Sequence, residues 1–309
     1  MGLLVLWGLL AGLAALVAVR LTGYDTVTPL AQVVAYTPYG GLLAVLTAGV
    51  ALAFRQWRAG IVAVLLVVAM AVFLVPRMAG SVQPGDGTPL RVMTLNLLVG
   101  AADPGAVVDL VRRTRPDVVT LLELTEPSVA ALDAAGLASL LPHRALRPGP
   151  KASGTGIYAR YPILDSGGFD ARSTFDQTRA RVQTPGGDVD VVAAHPAPPL
   201  PGPALARWER DLRLFGPPPT HGPPLVLAGD FNASLDHSLF RRLVDLGYVD
   251  AAAAVGAGLV PTWPWDGSWL PPVTLDHVLT DGRAIVRDFE AHEVPGTDHR
   301  AVVADLRLP

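Results

Sequence analysis

Cysteine is absent from all 309 residues. That excludes a disulfide scaffold, thiol nucleophiles, iron–sulfur clusters and Cys-ligated zinc, and it leaves the redox compartment open. Charge is scarce too: 17% of residues are charged, against about a quarter in an ordinary soluble domain. There is no run of Lys or Arg. What is plentiful is apolar. Half of the chain is hydrophobic and mean hydropathy is +0.39, which rules out disorder and a wholly soluble protein.

Charge is scarcest near the N-terminus. Residues 1–76 hold only Arg20, Asp25, Arg55 and Arg58, set between apolar runs at 3–19, 30–54 and 59–75. Runs of about 17 to 25 residues, as helices, match a hydrocarbon core of about 30 Å, so three transmembrane helices are expected. Pro38 and Gly40-Gly41 interrupt the second run, which membrane helices tolerate where neighbours re-satisfy the backbone. Taking the first run as a cleaved signal peptide leaves the next two unexplained, and no basic segment precedes it. The turn at 55–58 carries Arg55 and Arg58. The positive-inside rule therefore expects that turn and the N-terminus in the cytoplasm, and everything after residue 76 outside. Tyr24 and Trp57 fit as interfacial anchors, while Arg77 argues the other way.

Gly, Pro, Ser and Asp across 77–88 read as a linker, and 89–309 is long enough for one sizeable core. Four of the chain's 24 basic and two of its 27 acidic residues precede residue 89, leaving 20 and 25, a net charge of −5 with His neutral. Nucleic-acid binding leans on a basic footprint, so nucleic acid is not the expected partner. Periodicity and turn residues predict strands at 90–95, 117–123, 156–159, 180–183, 189–194, 224–228, 273–279, 284–291 and 301–306. Helices are predicted at 104–114, 127–135, 204–215 and 236–246, the first capped by Asp103 with Pro104 following. Pro185-Gly186-Gly187 turns a hairpin. The expected fold class is α/β (α+β), two mixed β-sheets with outer helices.

Six apolar strands end in polar residues, where a sheet presents side chains to a cleft. They are Thr94-Leu95-Asn96, Leu122-Glu123, Ala194-His195, Gly229-Asp230-Phe231-Asn232, Leu275-Asp276-His277 and Gly296-Thr297-Asp298-His299. Hard oxygen donors with few His suit Mg²⁺, Mn²⁺ or Ca²⁺. In-line attack on phosphorus needs an oriented water and charge neutralisation, and a His paired with a carboxylate can take the water's proton.

In this order the segments resemble the endonuclease/exonuclease/phosphatase superfamily, which includes deoxyribonuclease I, abasic-site endonucleases, neutral sphingomyelinases and inositol-polyphosphate 5-phosphatases. The matches run from Val92 to Ala304, and Gly229-Asp230-Phe231-Asn232 and Asp298-His299 are the specific ones. The resemblance implies a four-layered sandwich, a Mg²⁺ (or Mn²⁺) cofactor and phosphoester hydrolysis. It implies that Glu123 binds the metal with Asn96 beside it, and that Asp298 is a further acidic group there. Asp230 and Asn232 would position the attacking water and a phosphate oxygen. His299 would be the general base, Asp276 would orient it, and His195 would hydrogen-bond the phosphate. Leu122 stands where Gln is frequent and Thr297 where Ser is usual; neither change removes a ligand.

Arg179 and Arg181 share one face of their strand and are candidate phosphate contacts. His277 points away from Asp276 on a strand and reads as structural. Asp236-His237 copies the terminal pair but opens a helix, where Asp is an ordinary first-turn residue. His143, His221 and His292 read as solvent-facing, and Tyr158 as either cleft or core. Asn232-Ala233-Ser234 fits a glycosylation sequon, but a buried site Asn is a poor acceptor. Trp263, Trp265 and Trp269 lie in a Pro-rich stretch that reads as a substrate lip, an interfacial contact or loop packing.

The expectation is a multi-pass, cell-membrane phosphoesterase with its catalytic domain outside. Its substrate would be a lipid-linked phosphate or pyrophosphate, with membrane lipid as its setting. An extracellular nuclease would want a basic groove, and a non-catalytic scaffold would have lost ligands; the sequence shows neither.

Overall fold

A computed structural model describes residues 2–81 and 84–309. The N-terminal bundle comprises α1 (Gly2–Thr22), α2 (Leu30–Val33) with a 3₁₀ turn (Val34–Tyr36), α3 (Thr37–Ala53) and α4 (Trp57–Ala79). Three spans, Gly2–Thr22, Leu30–Ala53 and Trp57–Ala79, are long and apolar enough to cross a membrane. Leu10, Leu13, Ala44, Ala63 and Met70 pack inside the bundle, while Leu4, Leu42, Leu65 and Val72 face outward. Gly40-Gly41, read as an interruption, is a packing surface: a Cβ on Gly40 would lie 2.6 Å from the Leu16 side chain, so only glycine lets these helices approach. The break falls earlier, at the 3₁₀ turn. Pro38 lacks an N–H and is accommodated in the first turn of α3.

The chain continues through β1 (Thr88–Asn96), α5 (Pro104–Thr114), β2 (Val118–Leu122), α6 (Glu126–Ala134), α7 (Leu137–Leu140), β3 (His143–Arg147), β4 (Thr155–Ala159) and β5 (Ile163–Gly168). Then come β6 (Thr178–Thr184), β7 (Gly187–Ala194), α8 (Pro203–Leu214), β8 (Leu225–Asp230), α9 (Ser238–Asp245), β9 (Val249–Asp250) and α10 (Ala251–Ala254). The last strands are β10 (Asp276–Thr280), β11 (Ile285–His292) and β12 (Ala301–Leu308). They form two mixed six-stranded sheets, ordered β11-β12-β1-β2-β4-β3 and β5-β6-β7-β8-β10-β9. Leu90, Val92, Val182, Val191, Ala228, Val278 and Val302 fill the space between the sheets. Met93, Leu95 and Leu121 meet Val107 and Leu110 of α5 on one outer face. Leu227 and Phe231 meet Trp208 and Phe240 on the other. These are the four layers expected. β3, β5 and β9, which the sequence did not announce, are all edge strands, where charged and glycine residues blunt the hydrophobic signal.

The bundle and the sandwich are joined by buried charge. Arg77 donates to Asp236 (Nη1–Oδ2 2.9 Å) and Arg20 donates to the same carboxylate (Nε–Oδ1 3.2 Å). Asp236, expected as an ordinary first-turn residue, is 1% exposed, and α9 starts two residues later. The third helix thus runs to Ala79, into the stretch read as linker, because Arg77 is an anchor rather than a linker charge. Elsewhere Asp25 accepts from the Ser238 amide and hydroxyl, and the Tyr39 hydroxyl donates to the Pro272 carbonyl (2.7 Å). At the far end of the bundle Phe54 and Gln56 lie beside Gly2 and Leu3, and Arg55 and Arg58 are exposed there.

Candidate active site

Strand parity places the site. Even-numbered side chains of β1, β8 and β10 and odd-numbered ones of β7 face the opposite sheet, as Leu90, Ala228, Val278 and Val191 show. Continued to the strand ends, the same parity delivers Asn96, Asp230, Asp276 and His195 to one open end of the sandwich. The register pairs Asp276 with Asp230 and Ala194 with Gly229. Gly229 is required there, since a Cβ would sit 1.9 Å from the Ala194 carbonyl oxygen.

The expected residues converge. His299 Nδ1 is 2.9 Å from Asp276 Oδ2, and its Nε2 is 3.7 Å from Asp230 Oδ2 and 3.9 Å from Asp298 Oδ1. His195 Nε2 lies 3.9 Å from Asp230 Oδ2 and 4.0 Å from Glu123 Oε1, with Phe175 packed on its ring. Asn96 donates from Nδ2 to both Glu123 Oε1 and Asp230 Oδ2 (3.1 Å each), while its oxygen accepts from the Leu98 amide. Asn96, expected beside the metal, therefore ties two carboxylates together and spends its oxygen on the backbone. The Asn232 amide N–H donates to Asp230 Oδ1 (2.8 Å), and its side chain donates to the Pro196 carbonyl. Thr297 serves where serine was usual: its hydroxyl donates to the Asn96 carbonyl (2.8 Å) and accepts from the His299 amide.

Two of these residues carry left-handed backbone, Glu123 at φ 55° and Asn232 at φ 48°. Non-glycine residues rarely hold that conformation, and it concentrates at functional sites. At Glu123 it aims the carboxylate at the Val99 amide, which donates to Oε2 (2.7 Å).

The electrostatics are those of too many carboxylates for one imidazolium. Burial disfavours charge on His299, but Asp276, Asp230 and Asp298 outweigh it and raise the imidazole to about 10. Burial pushes Asp230 up to about 7, against the pull of His299. Burial, with the nearby His299 charge, drives His195 down to about 3, so it is neutral. Asp230, Asp276 and His299 offer ligand atoms within 4.8 Å of one another. Asp276 Oδ1 and Asp298 Oδ1 are buried without a hydrogen-bond partner. Unpaired, buried carboxylate oxygens beside Glu123 and Asp230 are a donor set that fits a hard divalent cation.

Other candidates fall elsewhere. In β6 the inward residues are Ala180 and Val182, so Arg179 and Arg181 point out of the sandwich. Asp165 and Asp190 hold them there, and they are not phosphate contacts at this site. His277 bonds Asp250 and the Ala233 carbonyl on the helix side of its sheet, as a structural residue. Tyr158 is core, donating to Asp133. The three tryptophans part company: Trp263 Nε1 donates to Asp298 Oδ2 (2.8 Å), Trp265 packs under Arg300, and Trp269 is 88% exposed.

A cavity of about 540 Å³ opens over the cluster. Glu123, His195, Asp230, Asp298 and His299 contribute the charged and imidazole lining; apolar residues such as Phe175, Leu200, Trp263 and Leu270 dominate the rest, and among the described residues no Lys or Arg lines it. Its lining also includes Ala31, Gln32, Ala35 and Tyr36 from the N-terminal bundle. Sequence reasoning missed those four, because an apolar stretch before a membrane helix carries no local mark of a second role.

The model of the Endonuclease/Exonuclease/phosphatase family matches residues 93–299. No curated protein matches the chain. Among solved structures, an endonuclease/exonuclease/phosphatase from Beutenbergia cavernae superposes with TM-score 0.56 at 21% identity, over 71% of this chain and 72% of that one. D. rerio TDP2 in complex with a single-strand DNA product gives 0.56 at 16%, over 71% and 99%. The 3′ phosphatase NExo from Neisseria, bound to a product DNA hairpin, gives 0.54 at 19%, over 70% and 98%. These likenesses establish the shared fold, and with the family match over two-thirds of its length this chain belongs to the endonuclease/exonuclease/phosphatase family.

Proposed function

We propose that the protein is a membrane-anchored, divalent-metal-dependent phosphoester hydrolase that acts on a lipid-linked phosphate or pyrophosphate at the outer face of the membrane. Members of the family are in general metal-dependent phosphoester hydrolases. The observation that carries the substrate class is the cavity: largely apolar, without Lys or Arg among the described residues that line it, and bounded in part by the N-terminal bundle. A polyanionic duplex wants the opposite lining.

Asp276 accepts a hydrogen bond from His299 Nδ1–H, so that in the base form of His299 the Nε2 lone pair takes a proton from the water attacking phosphorus. Asp230 and Asn232 orient that water and a phosphate oxygen. His195, kept neutral by burial, donates to the negative charge that develops on the phosphate. Glu123, Asp230 and Asp298 would hold Mg²⁺ or Mn²⁺, which when bound neutralises the phosphate oxygens as a Lewis acid.

Full-length protein with Mg²⁺ is expected to release phosphate from lipid pyrophosphates or phospholipid headgroups and to leave plasmid DNA intact. Cleavage of DNA with no release from lipid would replace this reading with a nuclease. Chelator should abolish turnover and Mg²⁺ or Mn²⁺ restore it. The apparent metal affinity should rise as pH passes through about 7, because the proton that burial keeps on Asp230 must leave before a cation sits among these carboxylates. Full activity in excess chelator would exclude the mechanism.

The arrangement of the bundle supports the outer placement. The sandwich docks at one end, and exposed Arg55 and Arg58 mark the other, which the positive-inside rule keeps in the cytoplasm. Arg77, which counted against this, is neutralised by Asp236. Alkaline phosphatase fused after Pro309 should be active; activity only from a cytoplasmic reporter would place the site inside.

A further inference from the structure

One wall of the cavity does not come from the catalytic fold. Ala31, Gln32, Ala35 and Tyr36, on α2 and the turn after it, close the space above the reactive cluster. The segment is held in place from several directions. His237 Nδ1 accepts the Ser234 amide proton (2.9 Å), so the ring's proton sits on Nε2 and is donated to the Ala31 carbonyl (2.7 Å). The same ring packs edge-on against Trp208, and Trp208 Nε1 donates to the Asn232 carbonyl (3.0 Å). A chain of contacts thus runs from the bundle to a residue of the reactive cluster. Gln32 donates from Nε2 to the Pro199 carbonyl, which leaves its Oε1 buried and without a partner.

The lining chemistry is divided. Acids and imidazoles that suit a phosphate stand at one end; small or apolar side chains occupy the remainder, and the bundle itself supplies part of them. A cavity of about 540 Å³ is in the range that encloses a small-molecule ligand, and here it is continuous with helices that cross a membrane. A wholly polar phosphoester would leave this surface unused.

We propose that residues 31–36 are a specificity-determining wall of the active site, receiving the apolar chain of a phosphorylated lipid while its phosphate reaches Asp230 and His299. This rests on the phosphoesterase reading. Ala31 and Ala35 leave room for the chain, and Tyr36 flanks it. An isolated 88–309 fragment keeps the reactive cluster but lacks this wall.

The absence of cysteine makes the test clean. Gln32→Cys, in the full chain in bilayer nanodiscs, gives a single thiol on the wall whose reaction with a water-soluble maleimide is timed. Dodecyl phosphate is expected to slow labelling tenfold or more, and inorganic phosphate less than twofold. Ala35→Cys repeats the measurement without disturbing the Gln32–Pro199 contact, and a thiol at exposed Ser166 serves as the remote control. Equal protection by both probes, or by neither, would overturn the wall. Hydrolysis of a lipid phosphate by the unaltered chain is scored separately. Its absence would remove the phosphoesterase reading while protection by dodecyl phosphate still stood, so the two failures are distinguishable.

Discussion

Replacing His299 by alanine is expected to lower turnover about 10²- to 10⁴-fold, the usual contribution of a general base. The geometry supports a single acting unit: Asp276 is fully buried, its Oδ2 holds His299 Nδ1 at 2.9 Å, and no other hydrogen bond competes for its second oxygen. Asp276→Asn should fall in the same range, and the double variant should be little worse than His299→Ala, since the second change removes support for a group already gone. The pH dependence separates the two single changes. Asp276 heads the interactions that raise His299 to about 10, against burial. The base form of His299 grows as pH rises, so the acidic limb of the rate profile reports its titration. Removing the Asp276 charge lowers that pKa, and the limb moves to lower pH even as turnover drops. In His299→Ala the limb disappears. Retention of more than about a tenth of turnover in His299→Ala would mean the base lies elsewhere, and His195 is then the next to test.

The largest stability effect is expected at Asp236. Its removal leaves the Arg20 and Arg77 guanidiniums buried without their carboxylate. Breaking a buried pair by deleting one partner costs about 3–5 kcal/mol, because the surviving charge stays desolvated. Here two arginines survive, with Arg241 close enough to be driven down to about 10 by burial and by the Arg20 charge. Asp236→Ala should therefore melt the full-length protein at a much lower temperature and loosen the sandwich from the bundle. Asp236→Asn, which keeps the shape and some hydrogen bonds, should lose less. Changing the ions together, Arg20→Met and Arg77→Met with Asp236→Leu, should recover much of the loss, since apolar replacement of a whole buried ion cluster is frequently near neutral. A melting temperature for Asp236→Ala equal to that of the unaltered chain would show that the junction does not depend on this carboxylate. Activity should fall with docking, because Ser234 and His237, beside Asp236, hold the Ala31 segment against the cavity.

What was legible in the chain was what is local. Hydropathy over twenty residues marks a candidate span wherever it later packs, and all three runs form helices long and apolar enough to cross a membrane. A short apolar run with a polar residue at its end marks a strand that ends at a cleft. Asn96, Glu123, His195, Asp230, Asp276 and His299 were all found that way, and they meet within hydrogen-bonding or ion-pair reach. The same rule correctly set His277 aside. It also put Arg179 and Arg181 on one face of β6, but it could not say which face. That is decided by the second sheet, which packs against Ala180 and Val182 and leaves the arginines outside. Edge strands β3 and β5 were silent because a strand with one neighbour carries little buried surface.

The sequence by itself therefore determined the apolar helices, the sandwich and the polar residues that gather at its open end, since each is written in short-range pattern. Tertiary structure alone decided three things. Arg20 and Arg77, 216 and 159 residues from Asp236, become a buried anchor only because α1 and α4 end beside α9. Glu123 and Asn232 take left-handed backbone because the carboxylate must meet the Val99 amide and the Asn232 amide must meet Asp230. And Ala31, Gln32, Ala35 and Tyr36 come to line the cavity because the N-terminal bundle docks beside the reactive cluster. Burial against lipid and burial against a substrate chain draw on the same apolar side chains, so only the position of the segment in space tells them apart.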